Sequence, residues 1–527
     1  MSPTHNPRKR KPALTKILAT LGPASDNEAT LTKMIEAGCS LFRLNFSHGS
    51  FDEHKRRLEL VRRMSYQLNI PLTVLGDLPG PKLRVGKVPG DGIVLEQGQE
   101  VLIRTDIEVS EDGEVPLLVS DYERIVDEVH AGHRVLINDG AVRMLATSAG
   151  PEGLRCSVTT GGLVTTRKGI NLPDSELSVP AVTERDWEIV DWAVANHVDY
   201  LALSFVRKAD EVLTLKRGLR QRCEGDNCGS DLSAALTDST IPVIAKMETP
   251  QAVDRMDAII EAADGIMVAR GDLGVEMDVA DVPYVQKRLV RACHSVGKPC
   301  IVATQMLESM IENANPTRAE VSDVANAIYD GADCVMLSGE TAVGKHPVLA
   351  VETMARVAMS TEAAKRREKV QAPQVPETLR KKRELIPAIA HGAWHMANDV
   401  GAELITVWSQ QGGGARYLSR HNFNIPILAF SSNGPAVRRM NLLYAVFPVL
   451  WIDVPAHRSE FAELVDRMII DMGWVERGAP VVLLGGKPLD KPGSVNTVAL
   501  RYAGEMIDRA GATKIIESAP TPVASGV

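Results

Sequence analysis

Along the chain, short apolar runs bounded by turn residues alternate with stretches whose apolar positions recur every three or four residues, the pattern of strands followed by helices. Runs at 17–20, 41–45, 73–77, 200–204, 243–246, 266–269, 300–304 and 334–338 predict eight strands. The first helix is expected to open on a capping box of Ser25 and Glu28, to bury Leu31 and Ile35, and to stop at Gly38. Eight strand–helix units predict an α/β fold built on a (β/α)₈ TIM barrel, whose chemistry gathers on the loops at the carboxyl ends of the strands. The strand ends agree. Apolar residues give way there to Arg43 and Asn45, Asp77, Ser204, Lys246 and Glu248, Asp272, Thr304, and Ser338 and Glu340.

Between the third and fourth strands the rhythm breaks into a stretch rich in Val, Gly and turn residues, with no long helical pattern. This predicts an inserted β-barrel lid domain on the active rim, placed to close over substrate and exclude water. After a helix at 347–366, a polar, proline-containing stretch reads as a linker. Strands at 404–408, 425–430, 446–452 and 481–484 then predict a C-terminal open α/β domain. The expected division is a disordered basic tail 1–14, barrel 15–81 and 181–366, lid 82–180, linker 367–376, C-terminal domain 377–517 and a disordered tail 518–527.

The chain has 527 residues, 44% of them hydrophobic and 24% charged, enough for several cores and too much for disorder throughout. Its 59 Lys and Arg against 67 Asp and Glu leave a net charge of −8, which offers no general field for nucleic acid. No apolar run approaches the roughly 20 residues of a membrane span, and no apolar signal core follows the basic N-terminus. No nucleic acid or membrane partner is expected. The seven cysteines are an odd set without framework spacing, which predicts free thiols and a cytoplasmic location.

In IAKMETPQA, Lys246 and Glu248 are two apart at a strand end, so their side chains share one side of the strand. In VARGDLGVE, Asp272 is flanked by Gly271, whose backbone N–H can approach an anion closely. Glu248 and Asp272 are the expected Mg²⁺ ligands, with Mn²⁺ as the alternative ion; two carboxylates are the usual protein share of such a site. Arg43, in RLNFSHG, adds a fixed cationic fork suited to phosphate. Convergence of cations and metal is what phosphoryl transfer requires, because catalysis there is mostly positioning and charge neutralisation. A barrel lyase or aldolase working through a pyruvate enolate would share the metal, and is the alternative. Neither GxGxxG nor GxxxxGK[ST] stands at a suitable strand end, so a nucleotide would be held without either cradle.

The motifs TKILATLGPAS, RLNFSHG, RKGINLP, AKMETPQA, MVARGDLGVE, ATQMLESM and PTRAEVSDVANAIYDGADCVMLSGETA resemble the pyruvate kinase family in sequence and in order, over nearly the whole chain. The resemblance implies conversion of phosphoenolpyruvate and ADP to pyruvate and ATP, and a homotetramer. It implies Lys246 as the catalytic lysine, Arg43 as the phosphate grip, and Gly271, Asp272 and Thr304 as the substrate carboxylate site, with Thr304 near the carbon that is protonated. It also implies nucleotide contacts from Asn45, Phe46, Ser47, His48, Arg84 and, from the lid, Lys168. One departure stands out. Many members read Asp-Thr-Lys-Gly-Pro-Glu after the third strand, where this chain has Asp77-Leu78-Pro79-Gly80-Pro81-Lys82. The family's glutamate accompanies a K⁺ ion whose ligands match Asn45, Ser47, Asp77 and the Leu78 carbonyl. A tethered Lys82 ammonium in its place implies activity without K⁺. A second departure is Ser409-Gln410-Gln411-Gly412-Gly413-Gly414, which lacks most of the hydroxyls of the family's effector loop; its glycines can still offer N–H groups to another phosphorylated effector, or the stretch is a simple turn before a helix, and the effector stays open.

Overall fold

The computed structural model describes residues 12–223, 241–367, 385–420, 424–455, 457–486, 489, 493 and 495–506. Most of both expected tails, most of the expected linker, and Cys228 lie outside the described residues. Strands β1 (Lys16–Thr20), β2 (Leu41–Asn45) and β3 (Thr73–Asp77) open the fold. The chain then leaves for β4 (Ile93–Leu95), β5 (Glu100–Arg104), β6 (Leu117–Val119), β7 (Arg134–Ile137), β8 (Val142–Gly150), β9 (Gly153–Thr160), β10 (Gly162–Val164) and β11 (Ile170–Asn171). It returns for β12 (Tyr200–Leu203), β13 (Val243–Met247), β14 (Gly265–Ala269), β15 (Cys300–Ala303) and β16 (Cys334–Leu337). The three early and five late strands close into one parallel barrel in the order β1-β16-β15-β14-β13-β12-β3-β2.

Both faces of these strands are buried, so they read as continuous apolar runs, and the period of two decides which residue faces which side. Leu18, Leu41, Leu75, Ala202, Ile244, Met267 and Ile301 fill the barrel interior. The alternate positions, among them Ile17, Phe42, Val74, Leu201, Val243 and Val302, pack outward on the helices. Continuing five of these interior columns, those of Leu18, Leu41, Leu75, Ala202 and Ile244, by two residues toward the carboxyl end reaches Thr20, Arg43, Asp77, Ser204 and Lys246. The same alternation that fills the core therefore delivers polar groups to the barrel mouth.

The first helix, Glu28–Glu36, does not start on a Ser25–Glu28 box. Asn27 is its cap, accepting from the Thr30 N–H at 2.9 Å, while the Ser25 hydroxyl accepts from Gly22 N–H at 3.3 Å. Two capping residues compete within three positions, and the one adjacent to the first helical turn takes the cap. The inserted segment forms a six-stranded sheet, β11-β7-β8-β9-β5-β6, and a β10-β4 ribbon around a core of its own that includes Val101, Ile103, Ile137, Met144 and Val158.

Beyond the barrel, β17 (Leu404–Trp408), β18 (Ile427–Ser431), β19 (Val446–Leu450), β20 (Pro480–Gly486) and β21 (Val495–Tyr502) form a sheet in the order β19-β18-β17-β20-β21. Four strands are parallel and β21 is antiparallel to β20. The Ser409–Gly414 segment turns into a helix at Gly413, and Ser409 Oγ accepts from the N–H groups of Gly414 and Ala415 at 3.0 and 3.3 Å. This domain also closes the amino end of the barrel, where Leu442 is fully buried among the interior residues. Around it, Tyr200 OH donates to the Arg439 carbonyl at 2.9 Å, Asn441 Nδ2 to the Pro71 carbonyl at 2.6 Å, and Arg438 pairs with Asp199 at 2.6 Å. Among the described residues, no helix is long and apolar enough to cross a membrane, and six cysteines are free and buried.

Candidate active site

At the carboxyl end of β13, Lys246 Nζ lies 2.7 Å from Glu248 Oε1 and 3.5 Å from Asp77 Oδ1, and donates to Ser204 Oγ at 2.9 Å. Arg43 Nε lies 2.6 Å from Asp77 Oδ2, and its Nη1 donates to Thr20 Oγ1 at 3.2 Å. Burial disfavours the charges of Lys246 and Asp77, but it is outweighed. Asp77, Glu248 and Asp272 together raise the lysine's pKa, while Lys246 and Arg43 hold the Asp77 carboxyl below its usual range. Lys246 is thus a fixed ammonium beside a fixed guanidinium at the barrel mouth.

Glu248 is only 1% exposed. Burial pushes its carboxyl up and the like charge of Asp272 adds to this, against Lys246 and the Phe205 N–H that donates to Oε2 at 2.5 Å. A buried carboxylate and a half-buried one that repel each other suit a divalent cation, which would relieve the repulsion. Among the described residues, no group of three or more His, Cys, Asp or Glu stands ready to hold a metal by itself. The fit is therefore to an ion that takes its remaining ligands from substrate and water.

Asp272 sits in the helix Arg270–Glu276 that follows β14, next to the start of the Thr304 loop. The Gly271 N–H donates to Thr304 Oγ1 at 2.7 Å, and that hydroxyl donates to the Ala303 carbonyl at 2.6 Å. Thr304 and Gln305 both have positive φ, at 68° and 54°, a costly conformation for a β-branched residue that only a firmly held loop maintains. Arg270 holds it. Its Nη2 donates to the Thr304 carbonyl at 3.0 Å while Nη1 pairs with Asp323 at 2.7 Å. Glu340 is buried and structural, accepting from the N–H groups of Ser338 and Leu307 at 2.7 and 3.0 Å.

Asn45 ends β2, and Ser47 and His48 occupy the turn that follows, with the Ser47 N–H donating to Asn45 Oδ1 at 3.2 Å. Phe46 differs. Its ring packs against Phe51, His54 and Trp192 in the outer core, so only its backbone faces the turn. Arg84 and Lys168 lie side by side where the inserted domain meets the barrel: Arg84 bridges to Gly169, and the Val85 N–H donates to the Lys168 carbonyl at 2.8 Å. Lys82 does not join Asp77, which Arg43 and Lys246 already neutralise. Its amine lies 3.9 Å from Asp139 of the lid, and its stem passes against Gly169.

Glu276, one helical turn beyond Asp272, was not singled out from the sequence although it stands in the same motif. It accepts from Asn171 Nδ2 of the lid at 2.7 Å. Burial, with smaller contributions from Asp272 and Glu248, pushes its carboxyl up to about 7 against the Asn171 hydrogen bond. Because the folded value lies above the ordinary 4.5, this group's contribution to stability is complete at acid pH and is lost as pH rises through about 7. In chelator-treated protein, the thermal midpoint of Glu276→Gln relative to wild type should therefore rise between these two pH values. Parallel pH profiles would contradict this.

Family models agree with the geometry. Residues 12–351 match the pyruvate kinase barrel domain and residues 387–500 the pyruvate kinase alpha/beta domain. The chain belongs to the pyruvate kinase family. Among curated members it is 36% identical to the pyruvate kinase of Thermotoga maritima over 92% of this chain and 98% of that one. It is 38% identical to that of Thermococcus litoralis, with the same coverage of each. The crystal structure of a pyruvate kinase from Cryptosporidium parvum superposes with a TM-score of 0.82 at 31% identity, covering 93% of this chain and 96% of that one. Pyruvate kinase membership makes the protein an enzyme, a phosphotransferase, and implies a divalent metal.

Proposed function

We propose that this pyruvate kinase homologue transfers the phosphoryl group of phosphoenolpyruvate to ADP, yielding pyruvate and ATP in glycolysis. The observation that carries the reading is the Lys246 ammonium, held 2.7 Å from Glu248 beside the Arg43–Asp77 pair. Lys246 and Arg43 offer the transferring group two positive charges already fixed by Asp77, Ser204 and Thr20. Little reorganisation is then needed when negative charge spreads over its oxygens. As that group departs, Lys246 also stands beside the enolate left behind. Glu248 and Asp272 would hold Mg²⁺, or Mn²⁺ as the alternative, and the bound ion supplies charge neutralisation on phosphate and enolate oxygens.

The substrate carboxylate would lie against the Gly271–Asp272 backbone and Thr304, taking over the N–H that Gly271 now gives to Thr304 Oγ1. Thr304 then stands near the enolate carbon, and water relays the proton. Asn45, Ser47 and His48 on the rim, with Arg84 and Lys168 from the lid, would meet ADP as the lid closes and excludes water. Activity without K⁺ is part of the proposal. Lys82 lies at the junction of barrel and lid, and lid closure would turn its ammonium from Asp139 toward the Asn45, Ser47, Asp77 and Leu78 group. The family's cytoplasmic homotetramer is proposed for this chain as well.

A coupled assay of pyruvate formation, run with Na⁺ or K⁺ as the only monovalent cation, tests the reading. Equal rates are expected for wild type. Lys82→Glu should lose about tenfold or more in Na⁺ and recover in K⁺, since a charge inside a water-poor site is worth far more than one in bulk water. Strong activation of wild type by K⁺ would overturn the tethered-charge reading, and no pyruvate in either salt would overturn the function.

A further inference from the structure

The segment that returns from the lid to the barrel is gripped by a residue outside the proposed machinery. Arg207 follows β12, with its side chain 13% exposed. Its Nη1 donates to the Leu177 carbonyl at 2.8 Å and its Nη2 to the Val179 carbonyl at 2.6 Å. The side chains of Leu177 and Val179 pack on the lid's own core. One guanidinium therefore fastens the lid core to a barrel loop through main-chain oxygens. Glu211 is a further acceptor for the guanidinium, 2.8 Å from Nη2 and 3.1 Å from Nε. A cavity of about 600 Å³ lies beside this junction, lined in part by Leu177, Val179, Arg207 and Trp187, so the return segment has room to shift when released.

The same short loop reaches the reactive pair from its other end. Ser204 Oγ accepts from Lys246 and donates to the Leu78 carbonyl at 2.7 Å. The Phe205 N–H donates to Glu248 Oε2 at 2.5 Å, with Phe205 at φ 53°, a left-handed conformation that an aromatic residue adopts only when its surroundings impose it. Residues 204–207 thus form a four-residue bridge, with Lys246 and Glu248 at one end and the lid at the other. We propose that Arg207 is a positioning residue that couples the seat of the lid to the geometry of the Lys246–Glu248 pair. The proposal rests on the phosphoryl-transfer reading of that pair.

The planar fork matters. Lysine keeps the charge opposite Glu211, but its single ammonium cannot span two carbonyls and a carboxylate in this geometry. In Arg207→Lys, kcat for pyruvate formation should fall about tenfold or more, a loss in keeping with a reacting group displaced by part of an ångström. KM for phosphoenolpyruvate should change by less than about threefold, since Arg43 and Thr304 are untouched. Amide hydrogen exchange across 175–182 should accelerate. Glu211→Gln, which leaves both carbonyl bonds in place, should keep kcat near wild type.

Three results would overturn the coupling: wild-type kcat in Arg207→Lys despite faster exchange, a kcat loss matching only the fraction unfolded, or an equal loss in Glu211→Gln. If wild type itself forms no pyruvate, the function reading fails. The exchange comparison then decides by itself whether Arg207 seats the lid: unchanged rates would sink that too.

Discussion

Lys246→Met is expected to lower kcat by on the order of a thousandfold or more while leaving the protein folded, because it deletes the preorganised charge proposed to act on the transferring group. Methionine keeps most of the lysine stem and its packing. The groups left behind have other partners: Asp77 retains Arg43 at 2.6 Å, and Glu248 retains the Phe205 N–H at 2.5 Å. With the ammonium gone, burial and the neighbouring Asp272 favour the protonated form of Glu248, so an isolated buried charge is avoided. Circular dichroism should be unchanged and the thermal midpoint near wild type, with the loss confined to turnover. A variant with more than about a tenth of wild-type kcat would remove Lys246 from the chemistry.

The second large effect concerns stability. Leu442→Ala should destabilise the protein by about 3 kcal/mol, within the range for emptying a fully buried leucine site, and the cost should fall on the barrel as well as on the C-terminal domain. The leucine belongs to the C-terminal domain in sequence but to the barrel interior in space, among Leu18, Leu41, Leu75, Ile244, Met267 and Ile301. Relaxation around the hole is limited because the flanking backbone is tied down by Tyr200, Asn441 and the Arg438–Asp199 pair. In guanidinium titrations, probes of barrel and C-terminal domain should move together to lower denaturant. An unchanged midpoint, or an early transition confined to the C-terminal domain, would contradict the plug.

The barrel was legible because its strands are apolar on both faces and punctuated by turns, and β2 and β3 have the predicted bounds. The same alternation made Lys246 and Glu248 legible as neighbours: residues two apart on a strand cannot face opposite sides. Local competition was less legible. Asn27 displaced Ser25 as the first helix cap, a choice between residues two apart that pattern alone does not make. Strand β21 was missed because its apolar Leu500 and Tyr502 lie exposed, so its pattern marks no buried face.

The residues hardest to read are those whose meaning comes from distant segments. Glu276 became part of the site through Asn171 of the lid, Arg207 through the Leu177 and Val179 carbonyls, and Leu442 by entering another domain's core. Lys82 shows the converse. The sequence placed it beside Asp77, but Arg43 and Lys246 already satisfy that carboxylate, and the lysine turns to Asp139 in this conformation.

The central claim is that a fixed amine and a divalent ion held by two carboxylates jointly stabilise a phosphoryl group in transfer. Phosphorus NMR of wild type and Lys246→Met, side by side with phosphoenolpyruvate, ADP and Mg²⁺, tests it most directly by following the phosphorus itself. The account predicts that wild type moves the signal into the γ-phosphate of ATP, that a chelator stops it, and that the variant leaves phosphoenolpyruvate intact. Release of inorganic phosphate without ATP, transfer that survives the chelator, or transfer at the wild-type rate in the variant would contradict it.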